Sequence, residues 1–101
     1  MTKVYRTQEA LSVDYTPALE YGDLEFVTSA GDRASPIPTS LNNEEIIEKI
    51  RFRLKDFTEN DYLLCTGAPV WMAICGAILG NRLCKVLVWD KRDNKYFIQR
   101  M

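Results

Sequence analysis

The sequence predicts a small α/β domain: an open, mostly parallel or mixed sheet of about five strands with two main helices. Three observations carry this prediction. An amphipathic run at 43–57 has the spacing of a helix, and residues 61–90 read in succession as strand, helix and strand. Short stretches rich in β-branched and aromatic residues stand at both ends of the chain. With 101 residues, 47% of them apolar and 27% charged, the chain suits one globular domain spanning 1–101.

Val4 and Tyr5 in "KVYR" favour a short first strand at 3–6. In "DYTPALEYGDLEFVTS", Thr16 is positioned to cap a turn of helix at 17–21, Pro17 suits its first position and Gly22 its end. Leu24, Phe26 and Val27 then predict a second strand at 24–28, with Asp23 and Glu25 alternating outward. "SAGDRASPIPTS" at 29–40 has no apolar period and reads as a flexible loop, either functional or partly disordered.

The helix at 43–57 has Asn42 or Asn43 as its cap and acids in its first turn, where the helix dipole favours them. Ile46, Ile47, Ile50, Leu54 and Phe57 share one face, which predicts a core contact. "YLLC" at 62–65 reads as a strand buried on both faces. Pro69 opens the second helix, 69–79, and Gly80 with Asn81 closes it. "CKVLVWD" is a buried strand, "KRDNK" a turn and "YFIQ" the return strand of a hairpin.

The stretch "LLCTGAPVWMAICGAILG" carries no charge over residues 63–80. It is long enough for a membrane span, but Gly67 and Pro69 interrupt it, and the flanking amphipathic helix and strands need an apolar partner. A strand–turn–helix–strand crossover uses the same residues and is the reading adopted, with a right-handed connection between parallel strands. Because the second helix is apolar all round, it is expected to be covered on more than one side.

Composition narrows the chemistry. The chain has no histidine, which removes Ser-His-Asp and Cys-His catalysis and histidine metal sites. Cys65, Cys75 and Cys84 are too widely spaced for a usual zinc site and read as free, packed core residues. No metal and no cofactor is predicted. A net charge of −1 gives no long-range pull on nucleic acid or anionic lipid, so neither is an expected partner. The N-terminus lacks the apolar middle region of a secretory signal, and the expected location is cytoplasmic.

In parallel sheets, ligands collect beyond the carboxyl ends of the strands, where helix N-termini favour anions. The candidate ligand positions are therefore Thr66, Gly67 and Ala68, with Asp90 at the end of the next strand. Turn geometry alone also accounts for Gly67, and a hairpin start for Asp90. Asp61 and Asp90 fall at opposite ends of parallel strands and make no catalytic pair. A metal-assisted hydrolase would need Asp90 near Glu20, Asp14 or Asp32.

The segments "DYTPALEYGDLEFVT", "NDYLLCTGAP" and "KVLVWDKRDNKYF" resemble small, uncharacterised bacteriophage proteins. The resemblance implies a phage-encoded accessory protein of the infected bacterial cytoplasm and supplies no activity and no functional residues. The leading expectation is a non-enzymatic binding module that self-associates, a dimer being favoured, with Val70, Trp71, Ile74 and Ile78 at the interface and a host protein as a further partner. The alternative is a binder of a nucleotide-like or phosphorylated ligand at the 66–68 turn.

Overall fold

A computed structural model describes residues 2–10, 14–37, 39–80, 82 and 84–100. Strand β1 (Lys3–Arg6) is followed by a 3₁₀ turn at Thr16–Glu20 and by β2 (Asp23–Phe26). Then come α1 (Leu41–Leu54), β3 (Tyr62–Leu64), α2 (Pro69–Leu79), β4 (Lys85–Asp90) and β5 (Lys95–Arg100). The five strands form one mixed sheet in the order β2-β1-β3-β4-β5, with β5 alone antiparallel.

Two apolar layers sandwich this sheet. On one face Tyr5, Leu63 and Val86 meet Ile46, Ile50 and Leu54 of α1 and Trp71, Cys75 and Leu79 of α2. On the other, Val4, Leu64 and Leu87 meet Ala18 of the 3₁₀ turn and Tyr96 of β5. Adjacent residues of β1 and β3 thus point into different layers, which is why β3 reads as an unbroken apolar run and why Val4 and Tyr5 of β1 are both buried. From β1 the chain moves outward to β2, and from β2 it returns across β1 to β3 and on to β4. Crossovers of one hand running in opposite directions put their connections on opposite faces, as the 3₁₀ turn and the helices are here.

Several boundaries differ from the sequence reading. Helix α1 begins at Leu41, two residues before the predicted 43, and its cap is Ser40 and not Asn42 or Asn43, the Ser40 hydroxyl accepting from Asn43 N–H at 3.4 Å. The two asparagines hold the preceding loop instead. Asn43 both donates to and accepts from the Ser35 backbone, and Asn42 donates to Arg33 O. The helix ends at Leu54; Phe57, beyond it, is buried with its ring 5.4 Å from that of Tyr5. Thr16 does not cap the 3₁₀ turn. Its own N–H donates to Asp14 Oδ1. Strands β2 and β3 each stop one or two residues short of the predicted ends.

Pro69 opens α2 and the Gly80 N–H closes it on Gly76 O, both as expected; Asn81 lies outside the described residues. In the hairpin, Asn94 takes a left-handed φ of 51°, which asparagine tolerates, and Asp90 Oδ1 accepts from Arg92 N–H.

Candidate functional site at the carboxyl ends of the strands

The strand order leaves a parting between β1, whose connection runs to β2, and β3, whose connection runs to β4. Crevices of this kind hold ligands in many open α/β sheets. Here the chain's own side chains enter it. Thr7 Oγ1 donates to Thr66 O at 2.7 Å and accepts from Thr66 N–H at 2.9 Å. Thr66 Oγ1 donates to Gln8 O. The buried Gln8 amide then bridges three segments: Oε1 accepts from Ala68 N–H at 2.7 Å, and Nε2 donates to Ser29 O at 3.0 Å and Asp32 O at 2.8 Å.

This cluster also ties down the segment after β2. Trp71 Nε1 donates to Asp32 O at 3.0 Å, and Asp32 Oδ2 accepts from Ser29 N–H and from Lys49 Nζ. The loop predicted at 29–40 is therefore attached to the segment after β1, to α1 and to α2 by side-chain hydrogen bonds, a contribution that an aperiodic composition does not reveal.

Thr66, Gly67 and Ala68 do sit together at the strand-to-helix turn. The Ala68 N–H, which the sequence offers to an anion, is bonded to Gln8 instead, and Pro69 has no N–H to give. Gly67 is explained by the same neighbour. Its φ of +80° favours glycine, and a Cβ there would come within 2.5 Å of Gln8 Cβ. Thr7 and Gln8 went unmarked in the sequence because they follow a four-residue strand and join no periodic pattern. Their signal was the pair of side-chain donors directly at a strand's carboxyl end.

The carboxylates are engaged apart from one another. Asp90 accepts from Arg92 N–H and Asp32 pairs with Lys49, while the hydrogen bond from Thr16 N–H holds the Asp14 carboxyl below its ordinary range. Among the described residues no group of three or more His, Cys, Asp or Glu could hold a metal ion.

Helix α2 differs from its prediction in one respect that matters. It is covered on one side only: Trp71, Cys75 and Leu79 are buried, Ile74 and Ile78 pack partly against them, and Val70, Ala73, Gly76 and Ala77 are exposed. Trp71 is 1% exposed with its indole N–H satisfied, so it is a core residue and not an interface residue. Cys65 is another correction: it is exposed and not packed, while Cys75 and Cys84 are buried.

A family model described as "Phage Pam3 gp32-like protein" matches residues 2–100. The chain belongs to the phage Pam3 gp32-like family. The match spans all five strands and both helices, so the resemblance to phage proteins holds across the whole fold. No curated protein and no solved structure matches the chain. Among the described residues, no helix of this family member is long and apolar enough to cross a membrane.

Proposed function

We propose that this Pam3 gp32-like protein is a non-enzymatic accessory module of the infected bacterial cytoplasm that self-associates through the outer face of α2. One observation carries the reading. Every side chain from Pro69 to Leu79 is apolar or absent, yet Val70, Ala73, Gly76 and Ala77 face solvent. A helix that meets water on one side ordinarily places polar residues there, and a contiguous apolar face is a common mark of a protein interface. The small residues at 73, 76 and 77 leave a flat surface against which a second helix can pack closely. Val70, 40% exposed, would be the largest side chain in the contact.

The competing reading, an anion at 66–68, draws less support because Gln8 already takes the Ala68 N–H. A host protein on the α2 face would satisfy the same apolar surface.

Light scattering across a concentration series tests the proposal. The expected mass is twice the 11.6 kDa of one chain. Ala73→Glu would bury an unpaired carboxylate in the contact, costing about 3–5 kcal/mol and weakening association about 100-fold or more. Circular dichroism of that variant should be unchanged, since the position is exposed in the single chain. A strict monomer at high concentration refutes self-association.

A further inference from the structure

Strand β3 ends at Leu64, paired with Leu87, whereas β4 continues through Val88, Trp89 and Asp90. Beyond that last pair the chain bends toward β1, drawn by the bonds of Thr66 to Thr7 and Gln8. The sheet therefore parts between β3 and β4. On the face opposite the helices this leaves a cleft of about 600 Å³, a volume suited to a small molecule.

The cleft's walls are apolar and aromatic. Leu64, Leu87 and Pro17 line it together with Trp89 and Tyr96, whose rings meet edge to face at 4.9 Å. Trp89 is 39% exposed, so a large part of its indole is open to a ligand. Tyr96 is 6% exposed, and its backbone carbonyl accepts from the Tyr21 hydroxyl at 3.2 Å. Among the described residues the lining contains one carboxylate, Asp14, and no lysine or arginine. Desolvation against the wall pushes the Cys65 thiol above its ordinary value.

We infer that this cleft binds a planar aromatic ligand bearing a cationic or strongly donating nitrogen group, the ring against Trp89 and the donor toward Asp14. An aromatic face attracts both flat rings and cations, and a lone carboxylate without a basic neighbour in the wall selects against phosphate and carboxylate ligands. The site lies on the opposite side of the sheet from α2, so it stands or falls independently of self-association.

Benzamidinium and benzoate, similar in size and opposite in charge, are suitable probes. The full chain has two indole N–H signals. Trp71, buried and bonded to Asp32 O, is an internal control for Trp89. Titration with benzamidinium followed by NMR should shift the Trp89 signal with a dissociation constant on the order of 1 mM and leave Trp71 in place. Benzoate should leave both signals unmoved. Asp14→Asn keeps the acceptor for Thr16 N–H while removing the charge, and should weaken benzamidinium about 5-fold or more. An unmoved Trp89 signal, an equal response to benzoate, or an unchanged titration in Asp14→Asn would each overturn the assignment.

Discussion

Gly67 and Gln8 offer a quantitative test of how the strand-to-helix turn is built. Gln8→Gly removes three hydrogen bonds, to Ala68 N–H, Ser29 O and Asp32 O, which at about 1 kcal/mol each amounts to about 3 kcal/mol, with the added backbone freedom of glycine common to both arms of the comparison. Gly67→Ala forces an alanine to a φ of +80°, costing about 1–2 kcal/mol, and its Cβ drives the Gln8 side chain out of place. Losing that side chain's bonds as well brings the single variant to about 4–5 kcal/mol, a large part of a small domain's stability. In a Gln8→Gly background the obstructing Oε1, Cβ and Cγ atoms are all gone. Gly67→Ala should then cost only the backbone strain of about 1–2 kcal/mol, a coupling of about 3 kcal/mol. With a urea slope of about 1.5 kcal/mol per molar, that coupling is about 2 M in unfolding midpoint. If the two costs instead add to within about 0.5 kcal/mol, the Gln8 side chain is not what requires glycine at 67.

Other substitutions probe the opposite end of the sheet and the thiols. The buried Asp61 carboxylate accepts from Lys3 N–H, Thr58 N–H and Thr58 Oγ1 at 2.9–3.1 Å, so Asp61→Ala should cost about 3 kcal/mol and lower the melting temperature by about 10–20 °C. Asp61→Asn, which keeps one acceptor oxygen, should cost clearly less. In the native protein a thiol reagent should modify Cys65 first, with Cys75 and Cys84 reacting only once urea unfolds the chain. Burial pushes the Cys75 thiol from 9.0 up to about 12, so the folded state holds a proton that the unfolded chain releases earlier. That contribution to stability is complete below about pH 9 and is lost as pH rises toward 12, which alkaline urea titrations of wild type and Cys75→Ala would compare.

The strands and helices were legible because each carries its own local pattern. Leu63 and Leu64 announce a strand buried on both faces, Ile46, Ile50 and Leu54 announce a helix face, and Pro69 with Gly80 bounds α2. The cap of α1 was misplaced because Ser40, Asn42 and Asn43 are all good caps, and only the distant Ser35 and Arg33 backbones decide which of them is free to serve. The site was harder to see for the same reason. Gln8 acts on Ala68, sixty residues away, and nothing near either position records the contact. An apolar helix likewise gives no sign of which side its own chain will cover, so Trp71 and Val70 looked alike in sequence and have opposite environments in the fold.

Both surfaces singled out here follow from the shortness of β3. A longer β3 would have carried its ladder with β4 past Leu87 and closed the sheet, leaving no cleft beside Trp89. Instead Thr66 is bonded to Thr7 and Gln8 on the β1 side, and Gln8 goes on to hold the first N–H group at the head of α2. That contact sets where α2 begins, and Trp71, bonded to the same Asp32 carbonyl as Gln8, sets its rotation. With the Trp71, Cys75 and Leu79 edge turned inward by this anchor, the helical period leaves Val70, Ala73 and Ala77 facing outward. One polar cluster thus opens the cleft on one face of the sheet and orients the bare helix on the other.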